Sequence, residues 1–222
     1  MITIPLISLS RPRLLLFFAG WGADETPFRQ YTPEDCDYLI AYDYRSLPSA
    51  PPFDPQAYAE VHVVGWSMGV WAAQQTASQW HLPPGRRIAI NGTIHPIDDG
   101  RGIPEAIFRG TLKGLDGASL HKFLRRMCGG QQEFRRFLGM TPRRPLDELK
   151  DELRQIARRQ PEDLHTSVFW TEAVTGMADR IVPPQNQLRE WQTLGVPVTR
   201  TEHAHYDEDL FRLYLQDLWT RH

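Results

Sequence analysis

Residues 63–70 read Val63-Val64-Gly65-Trp66-Ser67-Met68-Gly69-Val70, a G-x-S-x-G motif between an apolar run and a helix-compatible run of small residues. This context is typical of a nucleophile elbow, a sharp turn from a strand into a helix. Its glycines let the turn close and hold the central serine in a strained conformation. We therefore predict that the Ser67 hydroxyl projects from the carboxyl end of a strand, where the helix N-terminus favours negative charge. A glycine-rich turn that contains a serine by chance is the alternative interpretation.

On both sides of this motif, short apolar runs alternate with helix-compatible segments. The alternation predicts an α/β fold, with a mostly parallel, twisted sheet and helices on both faces. The predicted strands are 2–8, 13–18, 38–42, 61–64, 87–90, 167–174 and 197–201. The predicted helices of this core are 70–80, 185–194 and 207–219. The first two strands are near enough in sequence to pair as an opening hairpin.

The interval between the strands near residues 90 and 170 differs in kind, because it contains amphipathic stretches at 103–115, 120–138 and 146–159 and no convincing strand. We predict a core formed by residues 1–98 and 166–222, and a helical lid inserted as residues 99–165. Residues 122–159 contain 11 Lys and Arg against 5 Asp and Glu, although the whole chain has a net charge of −2. A basic insertion is therefore expected on an acidic body.

Composition excludes several classes of protein. The 222 residues and 25.6 kDa suit one compact domain, expected to be a monomer, and 25 basic against 27 acidic residues argue against a nucleic-acid binder. Two cysteines, Cys36 and Cys128, fit a reducing compartment, so we expect a cytoplasmic protein. Residues 1–10 have no basic segment and contain Pro5 within a short apolar run, so we expect no signal peptide. No apolar run reaches the roughly 18 residues of a membrane span. The sequence has no phosphate-binding glycine motif and no metal-ligand spacing among His81, His95, His121 and His165, so we expect neither a cofactor nor a metal.

An elbow serine needs a base, and an acid that orients the base, in the chain order Ser–Asp–His. Two histidines, His203 and His205, follow the last predicted strand, and we favour His205, beside Tyr206 and just ahead of the final helix. Asp179, on the loop after the strand 167–174, is the predicted acid, and its alternative role is to cap the next helix. The fallback acids are Asp98 and Asp99, after the strand near residue 90.

An oxyanion hole needs two fixed N–H donors. One is expected to be the backbone N–H of Met68, which follows the nucleophile. The other is expected from Phe17-Phe18-Ala19-Gly20-Trp21-Gly22, where Gly20 lets the backbone approach a substrate and Trp21 supplies the N–H. A plain turn is the alternative for this segment.

Four segments together point to a known family: they are Phe18-Ala19-Gly20-Trp21-Gly22, Tyr42-Asp43-Tyr44-Arg45, the elbow, and the block from Asn91-Gly92-Thr93 to Gly102-Ile103-Pro104. With these segments the chain resembles the BioG family over nearly its whole length. These proteins are pimeloyl-[acyl-carrier protein] methyl ester esterases, α/β-hydrolases of biotin synthesis. The resemblance implies an α/β-hydrolase fold and hydrolysis of a carrier-bound methyl ester with release of methanol. It also implies that Ser67 attacks the ester, His205 relays protons and Asp179 orients His205. The chain departs from related hydrolases at Ala204, where a glycine is frequent.

Other residues agree with a carrier-bound acyl substrate. Trp21, Trp66 and Gly20 flank the nucleophile and suit an apolar chain, and Phe123, Met127 and Phe134 are predicted on the lid side, although helix-spaced aromatics are more often core. The acidic carrier protein would be attracted by arginines, although charged helix faces are usually only solvated. The arginines assigned to it are Arg125, Arg126, Arg135, Arg136, Arg154 and Arg158, with Arg143, Arg144 and Arg159 as further candidates. The segment Asp43-Tyr44-Arg45 is left open between a structural role and a role in the site.

Three readings of function remain. The first is the carboxylesterase that acts on pimeloyl methyl ester bound to acyl carrier protein. The second keeps the triad but cleaves the carrier thioester, or serves as a generic short-chain esterase. The third is a catalytically silent hydrolase-fold module that binds the carrier, which the joint presence of Ser67, Asp179 and His205 disfavours.

Overall fold

A seven-stranded sheet forms the centre of the protein, which a computed structural model describes over residues 1–159 and 168–220. The strands are β1 (Ile2–Ile7), β2 (Arg13–Phe18), β3 (Cys36–Tyr42), β4 (Glu60–Trp66), β5 (Arg87–Ile90), β6 (Glu172–Gly176) and β7 (Val198–Thr201). They lie in the order β1-β3-β2-β4-β5-β6-β7. Only β1 runs antiparallel to its neighbour, and the other pairs are parallel. The predicted mostly parallel sheet is confirmed.

Seven helices accompany the sheet in the described parts of the chain. They are α1 (Met68–Gln75), α2 (Glu105–Gly114), α3 (Gly117–Met127), α4 (Gln131–Leu138), α5 (Leu146–Arg158), α6 (Pro184–Thr193) and α7 (Glu208–Leu215). Every residue of β3, and all of β2 and β4 beyond their first residues, is buried, because these central strands are covered on both faces. Among the described residues, no helix is long and apolar enough to cross a membrane.

The prediction that the first two strands pair as an opening hairpin is wrong. Strand β1 pairs with β3, Ile2 opposite Tyr42, whereas β2 lies between β3 and β4 in the interior of the sheet. The physical reason lies in the burial of the two strands. The continuous run 14–18 of β2 is fully buried and needs a neighbour on each side, while β1 is half-exposed and contains Pro5, which suits an edge strand.

The inserted segment between β5 and β6 contains α2, α3, α4 and α5, and no strand among its described residues. The amphipathic stretch 120–138 is divided into two helices at Cys128-Gly129-Gly130, where Gly129 has a φ of +69°. A side chain at Gly129 would collide with Ala204, so the end of α3 packs directly on the loop before His205. The predicted strand 167–174 begins only at Glu172, and its first residue lies outside the described residues. The predicted boundary between 165 and 166 lies outside them as well.

Candidate active site

Ser67 occupies the turn between β4 and α1 with a φ of +56°, a conformation that costs a side-chain-bearing residue about 1–3 kcal/mol. The surroundings enforce it. The Ser67 N–H donates to the Ile90 carbonyl at 3.0 Å, and the Ser67 carbonyl accepts from the Val70 N–H at 3.1 Å. A side chain at Gly69 would collide with the Phe18 carbonyl. The G-x-S-x-G motif therefore forms the predicted strained turn at the carboxyl end of the sheet.

Three side chains form a hydrogen-bonded row at this turn. His205 Nε2 lies 3.0 Å from Ser67 Oγ, and His205 Nδ1 lies 2.8 Å from Asp179 Oδ2. Asp179 follows β6 and His205 follows β7, so the loops after two neighbouring parallel strands bring them to Ser67. The His205 and Asp179 side chains are almost fully buried. In such a row the carboxylate holds the imidazole in the tautomer that can accept a proton from a serine.

Further polar contacts fix the row. The Asp179 carboxylate also accepts from the N–H groups of Ile181 and Val182 at 2.7 and 3.0 Å, and from Gln187 Nε2 at 2.9 Å. The His205 carbonyl accepts from Trp66 Nε1 at 2.9 Å. The row is therefore held from both its acid end and the backbone of its base.

Asn91 is a second support of the His205 loop. Its side-chain amide donates to the carbonyls of Ala204 and His205 at 2.9 and 3.0 Å, and its Oδ1 accepts from the Gly176 N–H at 2.7 Å. It is fully buried and has a φ of +47°. Asn91 thus joins the ends of β5 and β6 to the loop that carries His205. Sequence reasoning missed this role, and its only signal was an Asn-Gly pair after an apolar run.

The alternative residues lie elsewhere. His203 pairs with Asp207 at 3.1 Å, and its side chain is about one-third exposed. Asp98 bonds Arg101 and the N–H of Gly100, and Asp99 accepts from the N–H of Glu105 at the start of α2. The structure therefore brings together Ser67, His205 and Asp179, and places the fallback residues in local turns.

The segment predicted to complete an oxyanion hole lies against the nucleophile. A Cβ at Gly20 would lie 3.0 Å from the Trp66 ring and 3.2 Å from Ser67 Cβ, so a side chain there would require these neighbours to shift. The Gly20 carbonyl accepts from the Ala23 N–H at 3.2 Å, in a turn that contains Gly22 at a φ of +79°. The Trp21 N–H belongs to the same peptide as the Gly20 carbonyl and points the opposite way, away from Ala23. Both this segment and Met68, at the start of α1, line the cavity described next.

A cavity with largely apolar walls lies above Ser67 and His205. Its lining includes Gly20, Trp21, Trp66, Phe123 and Met127, five of the six residues predicted to contact the substrate. Sequence reasoning missed several further lining residues, which are Ile103, Ile107, Phe108, Thr111, Leu153 and Ile181. Phe134 is buried away from this lining, with its ring 5.1 Å from that of His121. Its spacing on an amphipathic helix was compatible with either position.

The arginines of the insertion divide into two groups. The six assigned to the carrier protein are exposed: Arg125, Arg126, Arg135, Arg136, Arg154 and Arg158. Arg126 also borders the cavity, and Arg136 lies within 4 Å of Glu133 and Glu208. By contrast, Arg144 is buried between Asp43 and Glu152, and Arg159 donates to the carbonyls of Tyr44 and Arg45. The second group holds the insertion on the core.

A mostly parallel sheet with a serine at the turn after β4, an acid after β6 and a histidine after β7 defines an α/β-hydrolase. A lipase-esterase related protein from Clostridium acetobutylicum shares this fold at 14% identity, with a TM-score of 0.60 over 90% of each chain. The family model described as pimeloyl-ACP methyl esterase BioG matches residues 4–215, and the chain belongs to this family. It is thus related to esterases of biotin synthesis.

Two relatives are similar over most of this chain. BioG from Haemophilus influenzae, a crystal structure, is 36% identical and superimposes with a TM-score of 0.86, covering 98% of this chain and 100% of that one. A malonyl-[acyl-carrier protein] O-methyltransferase of Bacteroides fragilis is 49% identical over 205 residues. That match covers 91% of this chain but 41% of the relative, so this chain spans less than half the length of the Bacteroides protein.

Proposed function

We propose that the protein is a serine esterase that hydrolyses the methyl ester of a pimeloyl group carried on acyl carrier protein, giving pimeloyl-[acyl-carrier protein] and methanol. The observation that carries the proposal is the row of Ser67, His205 and Asp179, with contacts of 3.0 and 2.8 Å, beneath a cavity with largely apolar walls. Membership in the BioG family supports the same substrate.

The geometry suggests the steps. Ser67 Oγ attacks the ester carbonyl while His205 Nε2 takes its proton, and Asp179 stabilises the imidazolium that forms. In this proposal the N–H groups of Met68 and Trp21 bind the oxyanion of the tetrahedral intermediate. The tetrahedral intermediate collapses with cleavage of the bond to the methoxy oxygen, which takes the proton from His205 and leaves as methanol, so the acyl group stays on Ser67. A water molecule then gives a proton to His205 and bonds the acyl carbon, the bond to Ser67 Oγ breaks with return of the proton from His205 to Oγ, and the free carboxyl group is released.

The cavity and the surface charge support a substrate delivered by a protein. Because a carrier protein cannot enter the cavity, its acyl chain must reach Ser67 from the exposed side of the cavity, where Ile107 and Arg126 lie. Aromatic and aliphatic walls suit the methylene chain of the substrate. The exposed arginines of α3, α4 and α5 suit the acidic surface of a carrier protein.

The Bacteroides relative adds one point. Its name describes an enzyme that acts on malonyl groups held on acyl carrier protein. Because this chain matches only part of that protein, we take from it only the carrier as a shared substrate type, and we do not assign methyl transfer to this chain.

The predictions of a monomer and of a cytoplasmic location remain part of this proposal. Cys36 and Cys128 are buried free thiols, and burial raises the pKa of each thiol to about 12. Such thiols are unreactive at neutral pH, and they are compatible with a reducing compartment.

The test is the mass of the carrier after incubation with the protein. Carrier protein bearing pimeloyl methyl ester is expected to become lighter by one CH₂ unit, with the acyl chain still attached. The Ser67→Ala protein, the control, is expected to leave the carrier mass unchanged. Free carrier thiol would instead favour a thioesterase, and an unchanged carrier with the wild-type protein would contradict the proposal.

A further inference from the structure

Tyr44 links the core to the loop beside Ser67. It follows β3 within Asp43-Tyr44-Arg45, and its ring is fully buried. Its hydroxyl lies 2.6 Å from the Ala19 carbonyl and 3.2 Å from the Ala41 carbonyl. A hydroxyl has one proton to donate, and the shorter contact identifies Ala19 as its acceptor. The Ala19 carbonyl belongs to the peptide that precedes Gly20 and Trp21.

The backbone of Tyr44 is held by the inserted helices. Glu152 of α5, which is fully buried, accepts from the Tyr44 N–H at 2.8 Å. Arg144 lies 2.6 Å from Glu152 and 3.1 Å from Asp43, with its side chain only 6% exposed. Buried charges are tolerated when they are paired and hydrogen-bonded, and loss of one partner is strongly destabilising. The position of Tyr44 is therefore set by charges on the insertion.

Helix α5 also reaches the same loop directly. The indole Nε1 of Trp21 donates to the Leu149 carbonyl of α5 at 2.9 Å, in a buried contact. Leu149 and Glu152 are three residues apart and lie on the same side of the helix. The segment 19–21 is thus held by α5 at two points, at Ala19 through Tyr44 and at the Trp21 ring.

We infer that Tyr44 is a positioning residue, whose hydroxyl fixes the Ala19–Gly20 peptide so that the Trp21 N–H is aligned with the carbonyl oxygen of the substrate. The inference rests on the proposed ester hydrolysis and deepens it. Glu152 and Arg144 belong to the insertion and hold Tyr44 in place. The Trp21 N–H is therefore aligned only when the insertion is packed on the core.

The test compares Tyr44→Phe with Tyr42→Phe. The first substitution removes the hydroxyl but keeps the ring and the backbone N–H bonded to Glu152. The second is a matched control, because it also removes one tyrosine hydroxyl, whose hydrogen bond of 2.8 Å is made to Glu25 rather than to Ala19. Loss of one oxyanion-hole donor lowers kcat by about 10²–10³, so misalignment of one donor is expected to lower it about tenfold.

We expect kcat of Tyr44→Phe for a small aryl ester to fall about tenfold with KM within about twofold, and Tyr42→Phe to match the wild type. Rates are taken per active site titrated with a fluorophosphonate, so that unfolded protein does not count. A trifluoromethyl ketone, which forms an oxyanion on the serine, should lose affinity for Tyr44→Phe by the same factor.

The outcomes separate the two proposals. Equal kcat for Tyr44→Phe and the wild type, or equal losses in both variants, would overturn the positioning role. The aryl ester reports only hydrolase chemistry, so an error about the carrier substrate would leave this result intact. A wild-type protein that hydrolyses no ester would overturn both.

Discussion

At the scale of single residues, the strained backbone of Ser67 and the contacts that orient the His205 ring together bring the hydroxyl and the imidazole into hydrogen-bond distance. The left-handed conformation of Ser67 presents its hydroxyl to Nε2 of His205, and the four hydrogen bonds to Asp179 fix the carboxylate that faces Nδ1. All three side chains are thus already in hydrogen-bond contact. Pre-aligned donors and acceptors of this kind are a main source of rate enhancement in enzymes.

A different histidine, His62, is expected to lower the stability of the protein at acid pH. Its Nδ1 accepts from the Arg86 N–H at 3.1 Å, its Nε2 faces Glu60, and its ring stacks on Trp219 at 4.4 Å. Burial lowers the pKa of His62 from 6.5 to about 4. The unfolded chain therefore binds a proton that the folded chain excludes between these pH values. This contribution to stability is complete above pH 6.5 and is lost as the pH falls towards 4.

We expect the wild-type protein to lose about 2 kcal/mol between pH 7.5 and pH 5 through His62, which corresponds to a decrease in Tm of about 5 °C. The His62→Phe variant keeps a ring on Trp219 but does not titrate, so its Tm should fall less over the same range. The measurement is thermal unfolding at both pH values. An equal decrease in the two proteins would show that His62 is not the group responsible.

The main residues of the site could be predicted because strand ends and glycines mark them. Ser67 follows an apolar run, and Asp179 and His205 follow two later predicted strands, in the chain order expected for the elbow. Asn91 and Gln187 could not be found in this way. Their roles depend on contacts with the backbone or side chains of residues such as Gly176 and Asp179, whose positions only the folded sheet determines.

At the scale of elements, the insertion combines two functions that its sequence does not separate. Its helices are amphipathic and carry exposed arginines, and two further arginines, Arg144 and Arg159, lie just before and just after α5. In the structure Arg144 and Arg159 hold the insertion on the core, whereas Arg125 and Arg154 face solvent. Helical periodicity identifies the apolar face of a helix. It does not show which charged residues at the ends of the helix contact the core, because tertiary packing decides that.

The exposed arginines of the insertion are expected to contribute to binding of the carrier-bound ester. We expect Arg125→Glu to raise the apparent KM for the carrier-bound ester about fivefold and to leave small-ester hydrolysis unchanged, because a carrier contact concerns only the former. The matched control is Arg200→Glu, an exposed arginine on β7. Steady-state kinetics with both substrates decide the question. Equal effects on both esters would indicate a packing role for Arg125, and equal effects of the two variants would indicate a general charge effect.

At the scale of the whole molecule, the site depends on the sheet order. Ser67 lies more than a hundred residues from Asp179 and His205 in the chain. The three meet because β4, β5, β6 and β7 are successive neighbours in the sheet and point their carboxyl ends to one edge. Alternating patterns predicted this parallel core, including β5 with its bounds at residues 87 and 90. The pairing of β1 with β3 was not predicted, because nearness in sequence favours a hairpin of β1 and β2. In the structure β2 is buried and lies between two parallel neighbours, β3 and β4.

If Ser67 is a nucleophile activated by His205, a fluorophosphonate will bind it covalently. The wild-type protein is expected to be labelled, with the added mass on the peptide that contains Ser67, and His203→Ala should be labelled at the same rate. Labelling should be abolished in Ser67→Ala and slowed by at least about 10²-fold in His205→Ala. Label on another residue, or undiminished labelling of His205→Ala, would contradict the account.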